Sequence, residues 1–290
     1  MEEEEIQSID HLRLLLLSIG LARHNGDWNW KNVNSPFARL YYVMEGEAQI
    51  ILPSGEYDLS PGRMYYIPAY TTHSYRCTGV FTHYYLHIYE DLQMHDASLL
   101  EKFDFPVEIS PEPMDLELIE RLHSLNPTMQ LPQSNPLSYD NSKTLHENIL
   151  RNKHRQLSIR VESRGILFLL MSRFISQATP KKLAADNRVQ KALDYIQKNL
   201  SKTLTIEELA DMACLSKDHL TRLFKKEMGM APLHYINQKK IERAQLLLLT
   251  EDIPIKSIAY QLGYEDPSYF NRIFRKYTGQ TPAEYQESNK

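Results

Sequence analysis

The most specific chemistry in this chain belongs to polar side chains that recur in two similar segments, fifty positions apart. Residues 220–235 (LTRLFKKEMGMAPLHY) align without gaps with residues 270–285 (FNRIFRKYTGQTPAEY), so that Arg222 corresponds to Arg272. An arginine can bind guanine through two hydrogen bonds, and an asparagine such as Asn271 can bind adenine in the same way. These residue types, repeated at a fixed interval, predict recognition of double-stranded DNA.

Each segment has the features of a helix-turn-helix, in which a short helix and a recognition helix are joined by a tight turn. The motif needs a small residue where its helices cross and an apolar anchor on the second helix. Ala210 with Leu220, and Ala259 with Phe270, meet this need at spacings of ten and eleven residues. The second turn is therefore predicted to be one residue longer, and both recognition helices are expected to enter the major groove.

Capping signals define the helices that must position these side chains. Thr205 followed by Glu208 fits a capping box, and Pro267 suits a first helical turn. Gly229 and Gly279 suit helix C-caps, and Glu265 and Asp266 are expected to cap the second recognition helix. The predicted helices are Arg188–Leu200, Thr205–Met212, Lys217–Met228, Pro232–Leu248, Ile255–Gln261, Pro267–Tyr277 and Pro282–Glu287.

Helical periodicity divides each recognition helix into a buried stripe and a polar face. The residues that lie off the buried stripe and could face DNA are Lys217, Asp218, Thr221 and Arg222 in the first helix, and Ser268, Tyr269, Asn271 and Arg272 in the second. One turn later, Lys225, Arg275 and Lys276 are better placed for phosphates, which position a protein without reading sequence. Two alternatives remain open. Arg222 and Arg272 could instead pair within their own units, and Lys239, Lys240 and Arg243 could form only a solvated helix face.

Charge is distributed unevenly along the chain. Residues 1–180 hold 15 Lys and Arg against 23 Asp and Glu, whereas residues 181–290 hold 18 against 14. A basic second part favours a polyanionic partner there. The acidic start and the short apolar run at 14–17 predict neither a secretory signal nor a membrane span. Two cysteines, Cys77 and Cys214, exclude a disulfide scaffold, so a cytoplasmic protein is expected.

The first part of the chain is predicted to combine strands with a helical segment. Residues 6–109 contain short apolar runs separated by turn signals, which favour a β-sandwich or barrel. Helical patterns follow at Met114–Leu125 and Ser142–Ile175. The apolar face of the second pattern, around Ile166 and Leu170, packs on the sheet in one interpretation and forms a dimer interface in the other.

Residues 255–285 carry a family resemblance. Their sequence, IKSIAYQLGYEDPSYFNRIFRKYTGQTPAEY, resembles the signature of the AraC/XylS family of bacterial transcription regulators almost end to end. The whole region 186–287 resembles that family's seven-helix double reader. Gln286 departs from the pattern, because the family often has an arginine there, and this departure puts one phosphate contact in doubt.

The resemblance implies how the two readers would meet DNA. Base contacts in the family come from the third and sixth helices, and the matching positions here are Asp218, Thr221 and Arg222, with Ser268, Asn271 and Arg272. The long helix Pro232–Leu248 would hold the readers rigidly apart. Because successive major grooves on one face of DNA lie about 34 Å apart, one domain would cover two adjacent groove segments.

Residues 37–75 resemble the cupin-like sensing domain of the same family. The matching pieces are LYYVMEG at 40–46, LSPG at 59–62 and YIP at 66–68, followed by His73. Catalytic cupins hold a metal with a His-x-His pair, a Glu and a later His. Here His73 matches the last ligand alone, and Arg39 stands at the Glu position. The resemblance therefore implies a domain without metal, cofactor or catalytic residues.

Aromatic and polar side chains are the candidates for lining the interior of this domain. Alternation along strands directs about half of them inward. Rings with polar atoms suit a polyol, and the alternative interpretation is an ordinary strand core. The residues expected to bind an effector are Trp28, Trp30, Arg39, Tyr41, Tyr66, His73, His83, Tyr85 and His87.

Together these features predict a multidomain α and β protein that is a transcription regulator and not an enzyme. The expected domains are a cupin-like effector-binding β-barrel at 1–110, a helical dimerisation or support segment at 111–176, a linker at 177–187 and an all-α double helix-turn-helix domain at 188–290. The expected partners are a double-stranded DNA operator, a small-molecule effector such as a sugar or related metabolite, a second copy in a homodimer and RNA polymerase, with no membrane. The rivals are a cupin-type metalloenzyme fused to a DNA-binding domain, and a regulator whose N-terminal domain only dimerises.

Overall fold

A computed structural model of the chain describes residues 12–91, 98–140, 142–181, 184–250 and 253–287. Those up to Pro180 form one unit and those from Lys181 onward form a second. Strands and helices build the first unit, and helices build the second, which confirms the predicted α and β class. Among the described residues, no helix has the length and apolar character needed to cross a bilayer.

The strands of the first unit pair into two antiparallel sheets. In chain order they are β1 (Leu14–Asn25), β2 (Ala38–Gly46), β3 (Ala48–Leu52), β4 (Gly55–Leu59), β5 (Met64–Ile67), β6 (Ser74–Arg76), β7 (Val80–Glu90), β8 (Phe103–Asp104) and β9 (Glu108–Ile109). The larger sheet has the order β1-β7-β2-β5-β9, and the smaller has the order β4-β3-β6. A closed barrel is not formed by the strand pairs of the described residues, because β1 and β9 remain the outer strands of the larger sheet.

Helices follow the strands in the same unit. They are α1 (Asp115–Leu125), α2 (Ser142–Lys153) and α3 (Leu157–Ile175), after which β10 (Thr179–Pro180) pairs with β8. The segment from Ser142 to Ile175, predicted to be helical, forms two helices. Gln156 has φ −53° and ψ 135°, an extended backbone that interrupts the helical path before α3 begins.

Alternation along the strands gives the larger sheet two different faces. Leu40 and Leu86 point to one face and pack with Phe174 of α3. Tyr41 and Tyr85, their neighbours in sequence, point to the other face and pack with residues of the smaller sheet. A layer of helices thus covers one face of the larger sheet, and the smaller sheet covers the other. Most of the predicted effector residues lie on the face that the smaller sheet covers.

The second unit consists of helices whose ends agree with the prediction to within two residues. They are α4 (Asn187–Lys198), α5 (Ile206–Met212), α6 (Lys217–Met228), α7 (Pro232–Thr250), α8 (Ile255–Gln261), α9 (Pro267–Thr278) and α10 (Pro282–Glu287). Two cores support them. One surrounds Leu209, Leu220 and Phe224, and the other surrounds Phe270 and Phe274.

The predicted caps form in this unit, except that Asp266 and not Glu265 is the N-cap of α9. Thr205 and Glu208 make both hydrogen bonds of a capping box. Gly229 and Gly279 end α6 and α9 in the left-handed conformation, with φ 72° and 80°. The Asp266 carboxylate caps α9 by accepting a hydrogen bond from the Ser268 amide.

Candidate functional site

The two predicted helix-turn-helix units have the same turn geometry. In the first, the Leu215 amide donates to the Ala210 carbonyl at 2.9 Å, and in the second the Tyr264 amide donates to the Ala259 carbonyl at 3.0 Å. Both alanines are buried, so their small side chains permit close helix crossing. Helices α5 and α6, and helices α8 and α9, therefore form two matching motifs.

The turns differ in length, as the sequence predicts. A left-handed residue occupies the same place in each turn, with φ 53° at Cys214 and φ 68° at Gly263. Ser216 then caps α6, whereas Asp266 caps α9 after one additional residue, Glu265. The extra residue accounts for the longer spacing between crossing point and anchor in the second motif.

Helix α6 presents a polar face opposite its buried anchors, Leu220 and Phe224. Lys217, Asp218, Arg222 and Lys225 are exposed, and Thr221 is half-buried. The Lys217 ammonium group donates to the Glu207 carboxylate of α5. Lys217 is thus held at the start of the recognition helix by an exposed ion pair of small energetic value.

Helix α9 presents the corresponding face. Its exposed predicted contacts are Ser268, Asn271, Arg272, Arg275 and Lys276, and Tyr269 is half-buried. The Arg272 guanidinium lies 5.2 Å from the centre of the Tyr269 ring, a cation–π contact that orients it without using its hydrogen-bond donors. Among the described residues, no ion pair holds either Arg222 or Arg272. Both side chains therefore have donors available for an external ligand.

Helix α7 connects the motifs through a buried lysine. The alternative of a purely solvated helix face does not hold for Lys240, because Lys240 is 4% exposed. Its ammonium group donates to the Lys202 carbonyl at 2.7 Å and lies 5.0 Å from the Tyr264 ring centre. Burial lowers the pKa of Lys240 to about 8. Lys240 thus ties the loop before the first motif to the turn of the second.

Other polar contacts reinforce this connection. The Tyr264 hydroxyl donates to the Asn237 side-chain oxygen of α7 at 3.1 Å. The Thr203 hydroxyl donates to the Gly263 carbonyl at 3.1 Å, and the Tyr277 hydroxyl donates to the His234 carbonyl at 3.0 Å. These bonds join the second motif to α7 and to the loop before the first motif, and the Phe224 ring of the first motif contacts the Tyr235 ring of α7. The spacing between the recognition helices is therefore set by packing within this unit.

Comparisons with known proteins match this C-terminal unit. Residues 209–288 match the family model of a helix-turn-helix domain. The Escherichia coli arabinose operon regulatory protein is 36% identical over 102 residues, which is 35% of each chain. The Bacillus subtilis bifunctional transcriptional activator/DNA repair enzyme AdaA is 36% identical over 112 residues, 39% of this chain and 53% of AdaA. The C-terminal unit is therefore similar to the helix-turn-helix domains of AraC-type regulators.

A solved structure of a related domain covers the same part of the chain. The C-terminal domain of AraT, a response regulator from Geobacillus stearothermophilus, is 34% identical, spans 37% of this chain and 88% of that domain, and has a TM-score of 0.35. The chain spans about a third of the arabinose regulator and about half of AdaA. These matches describe the AraC-type domain and not the whole protein.

The N-terminal unit, outside the AraC-type domain, gathers most of the predicted effector residues on one face of its larger sheet. In the β2–β7 ladder, Arg39 lies opposite His87, and Tyr41 lies opposite Tyr85. Directly opposed residues of antiparallel strands share a face, and positions two apart on a strand do so too. His83 therefore belongs to the same face. Pairing between distant strands thus brings together a guanidinium, two imidazoles and two phenols.

A buried hydrogen-bonded chain runs across this face. The Tyr75 hydroxyl lies 2.6 Å from both the Tyr41 hydroxyl and Nε2 of His73. Nδ1 of His73 lies 2.7 Å from the Thr71 carbonyl, which can only accept, so Nδ1 carries the proton. Neutral His73 then accepts from Tyr75 through Nε2, and Tyr75 accepts from Tyr41. Trp28 stacks on Tyr75, with ring centres 4.0 Å apart.

Burial keeps the histidines of this face neutral. Burial, with a smaller contribution from Arg39, lowers the pKa of His73 to about 4. Burial also lowers the pKa values of His83 and His87 well below their usual range. His87 is held by the Ser18 hydroxyl, which lies 2.8 Å from its Nδ1. The imidazoles therefore act as neutral hydrogen-bonding groups near pH 7.

Two predicted effector residues lie apart from the centre of this cluster. Tyr66 points to the helix-covered face, where its ring contacts Phe105 and Phe174. Its neighbours Tyr65 and Ile67 point to the opposite face, as strand alternation requires. Trp30 packs at the margin of the strand-covered core and is half-buried.

The structure adds residues that the sequence did not single out. The Arg39 guanidinium, 1% exposed, donates to the Asp140 carboxylate at 2.6 Å and to the Ser35 hydroxyl at 2.7 Å. Its central carbon lies 4.9 Å from the Phe37 ring centre and 5.9 Å from that of Tyr139. Asp140 is 101 residues from Arg39 and lies in a loop without periodic pattern. Because a buried arginine requires a counter-charge, Arg39 signalled that a carboxylate partner exists. The sequence could not identify which carboxylate that partner is.

Within the described ranges, no group of three or more His, Cys, Asp or Glu side chains is arranged to hold a metal ion. His24 and His83 stack with ring centres 5.5 Å apart. The chemistry available at this face is therefore aromatic stacking, neutral hydrogen bonding and one buried positive charge.

Proposed function

We propose that this protein is a sequence-specific DNA-binding transcription regulator controlled by a small-molecule effector. The observation that carries the proposal is the pair of helix-turn-helix motifs with one geometry, both fixed to α7. Each presents an exposed arginine, Arg222 or Arg272, that no ion pair among the described residues holds. This arrangement suits two adjacent segments of the major groove.

The two recognition helices would divide their contacts between bases and phosphates. Asp218, Thr221 and Arg222 of α6, and Ser268, Asn271 and Arg272 of α9, occupy the positions from which bases are read. Tyr269 would orient Arg272 by stacking. Lys217, released from Glu207, would join Lys225, Arg275 and Lys276 on the phosphates.

The N-terminal unit would bind the effector in a cupin-like sandwich, between the larger and smaller sheets. Trp28 and Tyr75 provide a stacked aromatic surface, and Tyr41, Tyr85 and His87 provide polar atoms beside it. Aromatic faces with a few fixed polar groups are typical of sites that bind sugars and related metabolites. The effector would favour one arrangement of the two units over another and so change DNA affinity.

A homodimer would use the outer face of α3. Leu157 and Val161 are 69% and 63% exposed, and they border a groove of about 330 Å³ between α3 and β1. Exposed apolar residues grouped in this way are typical of protein interfaces. A second copy would double the number of DNA readers and place the regulator on repeated operator half-sites.

Selection of binding sites from random duplexes by the full-length chain tests the DNA-binding proposal. We expect an enriched sequence and, on footprinting, two protected segments about one helical turn apart. Equal affinity for the enriched sequence and for random DNA would overturn the proposal. Alanine at Arg222 and alanine at Arg272 should each alter a different protected segment.

Metabolite addition in the same assay separates the proposed sensor from its rivals. A regulator that only dimerises would show DNA affinity unaffected by any metabolite, whereas a sensor would show a shift with a particular compound. Metal analysis of the purified protein tests the metalloenzyme rival, which requires stoichiometric metal. The repair activity named for AdaA belongs to that protein, which this chain matches only in part.

A further inference from the structure

Arg39 is the one buried cation of the strand-covered face among the described residues of the N-terminal unit, and its partner comes from a loop. Asp140 follows the short 3-10 turn Pro136–Ser138 and immediately precedes the segment that leads into α2. Its side chain is 7% exposed. The chain therefore inserts its own carboxylate into the face where the effector is proposed to bind.

The contact between these two groups is incomplete. Asp140 uses Oδ2 to accept from Nη2 of Arg39, while its Oδ1 has no partner among the described residues. Nε of Arg39, the neighbouring donor on the same edge of the guanidinium, is also buried and has no partner within the described part of the chain. A carboxylate placed in the plane of that edge can accept from Nε and Nη2 together, which is the stronger bidentate geometry.

The other groups facing Arg39 cannot balance its charge. His73 and His87 are neutral, and Tyr41, Tyr75 and Tyr139 are phenols whose pKa values burial raises. Asp140 is the single carboxylate that the described residues bring to Arg39. A ligand that displaced Asp140 without bringing a negative charge would leave a buried unpaired cation, which is strongly unfavourable.

We propose that Asp140 occupies the place of an effector carboxylate on Arg39, so that the effector is a small organic acid, such as a sugar acid, and not a neutral sugar. This inference rests on the proposed sensing role of the N-terminal unit. The effector carboxylate binds Nε and Nη2 of Arg39 and expels Asp140, while its remaining atoms contact the Trp28 and Tyr75 rings. The loop that carries Asp140 is then released.

Release of the loop connects the site to the helical layer. Helix α2 follows Asp140 closely and is attached to β1, because the Asn152 side chain donates to the Leu16 carbonyl at 2.5 Å. Leu16 and Asn152 also line the groove beside the exposed face of α3. Displacement of Asp140 thus acts on the surface proposed for dimerisation.

Chemical rescue of Asp140→Ala in the full-length chain tests the inference. Both tryptophans, Trp28 and Trp30, lie in the N-terminal unit, so their emission reports its unfolding selectively. Removal of the carboxylate should lower the unfolding midpoint, and formate or acetate should restore several degrees more than chloride at equal ionic strength. Wild type and the double variant Arg39→Met/Asp140→Ala should show no such difference.

Asp140→Asn provides the second variant, because it preserves shape if the alanine variant does not fold. Matched pairs of neutral and acidic sugars, glucose with glucuronate and galactose with galacturonate, are titrated by tryptophan emission. The acids should bind Asp140→Asn about tenfold more tightly than wild type, a change equal to one strong charge-assisted contact. The neutral sugars should not change.

Three outcomes would overturn the inference. They are folded Asp140→Ala that formate and acetate stabilise no more than chloride does, stabilisation by phosphate but not by these carboxylates, and neutral sugars that bind as well as their acids. Because these measurements use tryptophan emission without DNA, they remain informative if the chain fails the operator selection. A failed rescue with intact operator binding would remove the acid effector alone.

Discussion

At the scale of single residues, the recognition helices separate into side chains that could read bases and side chains that could only attract phosphate. Arg272 is exposed in the first half of α9 and stacks against Tyr269, whereas Lys276 is exposed one turn later, in the second half. The N-terminal part of a recognition helix lies deepest in the major groove. Position along the helix therefore predicts that replacing Arg272 and replacing Lys276 will reduce DNA binding in different ways.

We expect Arg272→Ala to reduce affinity for the selected operator by about 1–3 kcal/mol and to relax preference at one base pair. The matched variant Lys276→Ala should weaken all sequences similarly and lower the slope of log affinity against log salt by about one. Competition binding against a library of single-base operator variants, at two salt concentrations, measures both effects. A uniform loss for Arg272→Ala would assign that residue to phosphate.

The buried histidines predict a loss of stability in acid. The pKa of His73 is about 4 in the fold, against 6.5 when exposed, so between these values the unfolded chain binds a proton that the fold excludes. Stability is complete above about pH 6.5 and falls as the pH decreases through this window, by about 2 kcal/mol for His73 alone at pH 5. His83 and His87 act in the same direction.

Urea unfolding of the full-length chain, followed by tryptophan emission at about pH 7.5 and about pH 5, measures this loss. His73→Gln should reduce the difference in unfolding free energy between the two pH values by the amount that His73 contributes, because glutamine does not titrate. A folding free energy that is unchanged between the two conditions would contradict neutral burial of these imidazoles.

At the scale of elements, the close approach between the Lys202 loop and the second turn determines how the readers are held. A Cβ atom on Gly263 would lie 2.3 Å from the Lys202 carbonyl carbon, and Gly263 also has φ +68°. Gly279 has a similar φ of +80°, but no atom of another described residue, apart from its chain neighbours, lies within 4 Å of its Cβ position. A side chain would be strained by the backbone conformation at both glycines, but it would also meet neighbouring atoms at Gly263. Comparing substitutions at the two positions therefore separates backbone strain from steric contact.

We expect Gly279→Ala to cost about 1 kcal/mol, the strain of a left-handed non-glycine residue. Gly263→Ala should cost at least twice as much, because the backbone of the Lys202 loop must also move. Denaturation followed by far-UV circular dichroism reports the helices, and tryptophan emission provides an internal reference in the N-terminal unit. Equal losses for the two variants would show that the contact with Lys202 is not maintained in solution.

At the scale of the whole molecule, the outer face of α3 is the surface proposed to form a homodimer. Val161 is 63% exposed on α3, and Val80 is 56% exposed at the start of β7. The same substitution at two similarly exposed valines separates an interface effect from a general effect of added charge. Burial of an unpaired carboxylate in an apolar interface is unfavourable.

We therefore expect Val161→Glu to shift the chain from dimer to monomer and to weaken operator binding, while Val80→Glu changes neither. Sedimentation velocity over a concentration series measures the first effect, and operator titration measures the second. A dimer that persists with Val161→Glu would exclude the outer face of α3 as the interface. A monomeric wild type would remove the dimer from the proposal.

The sequence by itself determined the local architecture of the AraC-type domain. Caps at Thr205, Gly229 and Gly279, the crossing alanines and the extra residue Glu265 all act over one or two helical turns, and the structure agrees with each of them. Local signals of this kind depend on spacing within a segment, which a sequence displays directly. Because the segment recurs after fifty positions, the same local signals predicted both motifs.

Tertiary structure alone decided the features that depend on contacts between distant residues. Lys240 looks like a solvated residue in sequence, but the Lys202 loop and Tyr264 bury it. Asp140 meets Arg39 across 101 positions and a loop without periodicity. Neither burial nor partner choice has a repeating spacing, because each arises from how separate elements pack. The proposed acid-binding site is visible only after the strands have brought Arg39, Tyr41 and His87 to one face and the chain has returned to cover it.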